Sequence, residues 1–480
     1  MIMGFCVAPF WLLQLCVLIL TSQAGILRPY GVLDSSRFNT VGDAGDPLFL
    51  TPLLMSNKTA EAREASKVNG IGPNLSYSGF LTTNETTGNN LFFWFFPAMN
   101  GNIKAPILMW LQGGPGASSM SGLFDEIGPI SVTEDGSVVA RNITWNRNYS
   151  LVFFDNPVGT GFSFTKSDAG YAKDEYDVAR DLYSAVYQFF EIFSDYQDSD
   201  FYVAGESYGC KYIPAIAYKI HVENPLAKMK INLKGVSIGD GWCDPDNMVG
   251  VYADFMLQTS LLDIEQAREF AQIALIGRAK IAERDYVTAF KVFDILINGD
   301  LTPYPTLFNN ATGCTDYLNY LRTVSPSNFG YFSKLLSQAE ARKAIHVGNL
   351  TFNNGQETEK HLLADVMRTY PEFLLPVFDN YKTLVYSGQV DVIVAPPLTY
   401  NFLNNLDWKG RSSFQTAKRK VWKVKSTDVD VAGFVKSVTN IKGLATFHWI
   451  VVRDAGHILP YDQPERGLDM ITRFIEDEPF

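Results

Sequence analysis

Gly205-Glu206-Ser207-Tyr208-Gly209 is a Gly-x-Ser-x-Gly pentapeptide whose setting matters more than its letters. Asp200-Phe201-Tyr202-Val203-Ala204 before it reads as a short strand, and Ile213, Ile216, Ala217 and Ile220 after it recur at helical spacing. A serine on a tight strand-to-helix turn has its hydroxyl lifted above the sheet. Glycines flank it because side chains there would collide with the neighbouring strand and helix. Such a hydroxyl becomes a nucleophile when a base stands beside it and an acid orients that base.

The chain offers five histidines as the base. His221 and His361 fall on helix-like stretches in polar company, His346 at a helix end, and His448 inside the strand-like run 447–452. His457 instead follows that run, in the turn Asp454-Ala455-Gly456-His457. Turns at the carboxyl ends of sheet strands are where α/β proteins gather reactive groups. For the acid, Asp391 closes the stretch Ser387-Gly388-Gln389-Val390-Asp391, directly after the strand-like run 383–386. The chain order Ser207, Asp391, His457 is the one expected of an α/β-hydrolase. Gly113-Gly114-Pro115-Gly116 follows an earlier apolar run and supplies an oxyanion hole, in which the Gly114 segment and the Tyr208 N–H face a developing alkoxide.

The elements that must hold these groups are legible as alternating patterns. YSGFLTT and NLFFWFFPA form a hairpin that turns through Thr87-Gly88-Asn89-Asn90. The runs 105–112, 150–157 and 232–238 read as buried strands, and 174–193 as an amphipathic helix through Val178, Leu182, Ala185, Val186, Phe189 and Phe190. Strands alternating with helices imply a mostly parallel central sheet flanked by helices, the α/β-hydrolase plan. Residues 49–244 and 374–480 are the two parts of that core. Residues 245–373 form a mainly helical insertion or cap, with helical patterns at 262–298, 337–346 and 359–369.

The 480 residues are 46% hydrophobic and carry a net charge of −11, an acidic balance that argues against nucleic acid as a partner. Residues 5–20 are apolar and uncharged, and Ser22-Gln23-Ala24 follows. A signal peptide over 1–24 fits better than a transmembrane anchor, because the apolar run is shorter than the roughly 20 residues a span needs. No later segment has membrane length. Residues 25–48 lack periodicity and read as an exposed extension. Sequons at Asn57, Asn74, Asn84, Asn142, Asn148, Asn310 and Asn349 agree with the secretory route, ending outside the cell or in the lysosomal or endosomal lumen. Once the leader is gone, Cys210, Cys243 and Cys314 remain, enough for a single internal disulfide.

Several ordered stretches resemble the serine carboxypeptidases of vacuoles and lysosomes: LQGGPGASSMSGLFDEIGP, DNPVGTGFSF, DFYVAGESYGCKYIPA, YSGQVDVIV and DAGHILPYDQP. GDPLFLTP and NLFFWFFPA are similar to the vitellogenic-like and venom branch. The resemblance covers about residues 45–475 and implies the triad Ser207, Asp391 and His457. It also implies a site for a substrate's C-terminal carboxylate at Gln112, Gly113, Glu126 and Glu206. Gln112 stands where the family usually has Asn, so its amide reaches further by one methylene. Ala117 stands where the family has a Cys, so that disulfide is absent. Gly209-Cys210 replaces the family's Ala-Gly; Cys210 either pairs with Cys243 or remains a buried thiol.

The implied activity is release of C-terminal residues from peptide or protein chains through an acyl-enzyme, favoured by acid pH. No metal or organic cofactor is required, and a homodimer is an assembly the family allows. An esterase or acyltransferase on the same fold, and a catalytically silent binding protein, stay open from the residues alone.

Overall fold

The computed structural model describes residues 42–302, 304–439 and 446–480. The leader expected over 1–24 and most of the expected extension lie outside them. A ten-stranded sheet runs through the molecule. Its strands are β1 (Tyr77–Asn84), β2 (Asn89–Phe96), β3 (Ile107–Leu111), β4 (Ser150–Phe154), β5 (Phe201–Glu206), β6 (Leu233–Gly239), β7 (Lys382–Gly388), β8 (Lys420–Trp422), β9 (Gly433–Thr439) and β10 (Thr446–Val452). The spatial order is β1-β2-β4-β3-β5-β6-β7-β10-β9-β8. The block β4-β3-β5-β6-β7-β10 is parallel, and antiparallel strands close both edges.

The continuous apolar runs are explained by the pleat, which sends successive side chains to opposite faces. Leu91, Phe93 and Phe95 of β2 and Ile107, Met109 and Leu111 of β3 enter one core. Phe92, Trp94, Phe96, Leu108 and Trp110 enter the core on the other face. The first core is covered by α1 (Glu175–Ile192) and α2 (Gly209–Glu223), the two helices that bracket β5. Asp174 caps α1 by accepting from the Tyr176 and Asp177 amides at 3.0 and 3.1 Å.

Several sequence expectations need correcting. The hairpin turn lies at Glu85–Gly88, because Asn89 and Asn90 already belong to β2. The helical pattern over 262–298 splits into α3 (Ile264–Ala282) and α4 (Tyr286–Phe293), broken where Arg284 takes φ +60°. The pattern over 359–369 is helical only as far as Leu362, in α5 (Gln356–Leu362). Residues 42–48 are not a free extension: Ala44 is buried, and Leu48 bonds His346 O and the Phe80 amide at 3.0 and 2.9 Å. Strands β8 and β9 lack the apolar run that marks a covered strand, because β8 is an exposed edge strand and β9, paired between β8 and β10, has partly exposed residues along it.

The insertion is anchored to the core through a buried polar network beside the pentapeptide. Lys211, on the first turn of α2, donates to the carbonyls of Asp365, Val366 and Arg368. The Tyr208 hydroxyl donates to Asp365 Oδ2 at 2.5 Å, and the Tyr370 hydroxyl to Asp365 Oδ1. Burial pulls the Lys211 ammonium down to about 8, against the opposing charge of Asp365. Cys210 and Cys243 are joined, with Cα atoms 5.4 Å apart, so the same turn is also tied to the loop after β6. Cys314 remains a free thiol.

Replacing Lys211 with Met would leave three carbonyls short of a donor and Asp365 short of a cation. The expected loss is about 3–5 kcal/mol of stability. Denaturant unfolding reads it directly, and an unchanged midpoint would show that the network does not hold the insertion down.

Candidate active site

Ser207 lies in the two-residue turn between β5 and α2, with φ +59°, a backbone region that L-residues rarely adopt. The turn is held on both sides. The Ser207 amide donates to Gly239 O at 2.9 Å, and its carbonyl accepts from the Trp242 amide at 3.0 Å. The flanking glycines are steric requirements set by one atom. A Cβ on Gly205 would lie 2.0 Å from Leu111 O, and one on Gly209 would lie 2.7 Å from it. Gly113 is equally confined: its Cβ would meet the Tyr208 amide nitrogen at 2.6 Å and Ser207 Cβ at 2.7 Å. The Gly113–Gly114 segment therefore runs along the top of the serine turn, where the two expected oxyanion donors can face one point.

Asp391 follows β7 and His457 follows β10, so both reach the same carboxyl edge of the parallel block as Ser207. His457 Nδ1 is 2.8 Å from Asp391 Oδ2, and both side chains are buried. The other Asp391 oxygen accepts from the Val394 amide at 3.1 Å. Burial disfavours the imidazolium, but Asp391's charge and hydrogen bond outweigh it and hold His457 above its usual 6.5. Ser207, His457 and Gly114 line one cavity. The other histidines stand elsewhere: His221 against the Tyr381 hydroxyl, His346 against Ser78, His361 stacked on Tyr171, and His448 against Ser437.

Gln112, Gly113, Glu126 and Glu206 come together beneath that cavity rather than on its wall. Trp110 Nε1 donates to Gln112 Oε1 at 2.8 Å, which turns the Gln112 amide to donate to Glu206 Oε1 at 2.7 Å. Burial, then the charge of neighbouring Glu206, holds the Glu126 carboxyl well above the usual range. Burial pushes Glu206 up to about 7, against the opposing influence of His457 and Gln112. Two adjacent buried carboxyls without a cation keep protons because ionising both is costly.

Two carboxyls were not singled out in the sequence. Asp155, after β4, accepts from Ser118 Oγ at 2.5 Å and from the Ser119 and Phe162 amides at 3.1 and 2.9 Å, so it holds the loop that carries Gly113 and Gly114. Asp240 follows β6, between the strands that carry Ser207 and Asp391. Its signal was available: like Asp391, it is an acid directly after a buried strand. The cavity wall itself comes largely from the insertion, including Leu318, Phe329, Phe332, Phe352 and Glu359, which no short motif marks. Of the seven sequon asparagines, Asn57, Asn142, Asn148, Asn310 and Asn349 are exposed, whereas Asn74 and Asn84 are half-buried.

The chain is similar to known proteins over nearly its whole length. The human protein described as a probable serine carboxypeptidase CPVL is 49% identical over 437 residues, covering 90% of each chain. The venom serine carboxypeptidase of Apis mellifera is 45% identical over 442 residues, covering 91% of this chain and 92% of that one. Among solved structures, the prohormone-processing carboxypeptidase KEX1(delta)p of Saccharomyces cerevisiae superposes with a TM-score of 0.69 at 22% identity. It covers 86% of this chain and 96% of its own, a likeness of fold that identifies the architecture as an α/β-hydrolase. The family model described as serine carboxypeptidase matches residues 69–477, and the chain belongs to that family.

Proposed function

We propose that this protein removes C-terminal residues from peptides through an acyl-enzyme on Ser207. The observation that carries the reading is the joint placement of Ser207 and His457 on one cavity, above a buried carboxyl pair. His457 takes the Ser207 proton as the hydroxyl attacks the scissile carbonyl, and Asp391 orients the ring and stabilises the imidazolium. The Gly114 and Tyr208 amides hold the oxyanion. His457 then protonates the leaving amine, and activates the water that releases the acyl group.

Glu126 and Glu206 give the cavity its reason to prefer a free C-terminus. Below about pH 7 Glu206 keeps its proton, so both carboxyls can donate toward a substrate carboxylate, together with Gln112 and the Gly113 amide. Above it Glu206 ionises and confronts that carboxylate as a like charge. His457 acts in the opposite sense, since it must be neutral to accept the serine proton and its raised pKa removes base as pH falls. The carboxyl pair therefore displaces the optimum toward acid for substrates with a free carboxylate.

A blocked dipeptide and its C-terminal amide separate this reading from an esterase or acyltransferase. The free acid is expected to be cut faster, with KM rising as pH passes about 7. The amide shows no such rise. Glu206→Ala removes the donor and is expected to raise KM for the free acid by about tenfold or more, because a buried hydrogen bond to a charged group contributes roughly 1.5–3 kcal/mol. Equal rates for acid and amide at every pH would refute the carboxylate site. Ser207→Ala is expected to abolish both turnover and labelling by a fluorophosphonate, and full activity in the pure variant would remove the nucleophile assignment.

We infer passage through the secretory pathway from the leader and the exposed sequons. Treatment of secreted protein with peptide N-glycosidase is expected to lower its mass; an unchanged mass would contradict glycosylation at all of these positions.

A further inference from the structure

Asp240 is a buried carboxyl of the carboxyl edge whose chemistry the proposed reaction leaves unused. It sits in the turn after β6 at φ +41°, a conformation costly for a side chain of its kind and maintained only where surroundings over-determine it. Three contacts do so. The Asp240 amide donates to Tyr386 O at 2.8 Å, and Gly239 just before it and Trp242 two residues after it are bonded to Ser207 itself. Asp240 Oδ1 accepts from the Gly388 amide at 2.6 Å. The side chain is fully buried, and its second oxygen, Oδ2, finds no protein donor.

What lies beside Asp240 is the acid of the triad. One oxygen of Asp240, one oxygen of Asp391 and one ring nitrogen of His457 all fall within 4.8 Å of one another, and all three residues are buried. Asp391 has the better claim to the negative charge, because His457 and the Val394 amide both donate to it. An ionised Asp240 would bury a second charge next to the first, with one oxygen lacking a donor. A neutral Asp240 resolves both problems at once, since a proton on Oδ2 makes that oxygen a donor aimed at the Asp391 carboxylate.

We propose that Asp240 is a positioning residue, a protonated carboxylic acid that donates a hydrogen bond to Asp391 and so extends the Ser207–His457–Asp391 relay by one member. The assignment rests on the triad reading above, though not on the choice of substrate. Burial, then the charge of Asp391, pushes the Asp240 carboxyl well above the usual range, in agreement with that state. Of the other groups that face it, the Gly388 amide favours the ionised form and is outweighed, Glu206 from β5 adds repulsion, Tyr386 from β7 is held protonated, and His457 is bound to Asp391. The hydrogen bond fixes the Asp391 carboxylate in the orientation that His457 needs, and spreads its charge without neutralising it.

The test is the second-order rate at which a fluorophosphonate labels Ser207, measured against pH in the full-length wild type, D240N and D240A. Labelling reads the triad and needs no C-terminal carboxylate. Failure of the carboxypeptidase reading would therefore appear as uncut peptides with this ordering of labelling rates intact. D240A loses the donor, and its labelling rate is expected to fall about 10–100-fold. The amide of D240N can still donate, so it is expected to rescue most of that loss and to leave the acid limb, set by His457, where it was. Two outcomes overturn the proposal. If D240N moves the acid limb down by about one pH unit, Asp240 was ionised and its charge was supporting the imidazolium. If D240A labels at the wild-type rate, the hydrogen bond has no role. Should D240A fail to fold, the acid limb of D240N still decides between the neutral and ionised states.

Discussion

One carbonyl oxygen sets the geometry of the whole site. Leu111 O, at the end of β3, lies so close to β5 and to the start of α2 that both positions flanking the serine must lack a Cβ. With its neighbours confined, Ser207 has only the positive-φ turn in which to reverse from strand to helix. The cost of that conformation is met locally: its amide and carbonyl are both bonded to the turn after β6, and Cys210 is bonded to Cys243 just beyond. Everything else on the carboxyl edge is placed relative to this turn. The Gly113 segment lies over it, the loop after β6 carries Asp240 beneath Asp391, and the insertion is bound to it through Lys211 and the Tyr208 hydroxyl.

A second regularity follows from burying so many carboxyls at one edge. Asp125, Asp155 and Glu206 are each pushed to about 7 by burial, and Glu126 and Asp240 still further. Arg141 faces Asp125 and Glu126 and offsets their burial only in part, and Lys211 is committed to Asp365 and three carbonyls. Acids in this setting hold protons to higher pH than exposed ones, Asp155 doing so while it accepts from Ser118 Oγ and two amides. The edge can therefore present several acidic side chains without accumulating the charge that would repel a carboxylate substrate. Asp391 differs from these acids in its surroundings, because His457 and the Val394 amide face its two oxygens.

How far the sequence revealed this depends on whether a feature is local. The serine turn was legible because its constraints fall on Gly205, Gly209 and the strand and helix on either side. Asp391 and His457 were legible because each closes an apolar run, and the run identifies the strand. The pairing of Glu126 with Glu206 came through resemblance, since nothing in spacing brings a residue of the short helix Gly122–Ile127 and the end of a strand together. Asp240 carried the same local signature as Asp391 and was passed over once one acid had filled the expected place. The strands β8 and β9 and the split of the 262–298 pattern at Arg284 were hidden for a different reason. Half-exposed strands and a single left-handed residue leave the apolar pattern almost unchanged.

The insertion divides into parts with different freedom to change. Its segment around 316–320 is structural to the triad: Leu318 O accepts from the His457 amide at 2.7 Å, Tyr317 O accepts from the Val392 and Ile393 amides, and the Tyr320 amide donates to Val390 O. A Cβ on Gly456 would strike Leu318 O at 2.3 Å, so the histidine turn is pressed directly onto this segment. Phe329, Phe332 and Phe352 line the cavity from other stretches of the chain. Under the proposed reaction, substitutions at those aromatic walls act first on what the cavity accepts. A change at 316–320 alters base and acid positions along with the cavity, so selectivity and rate would move together there.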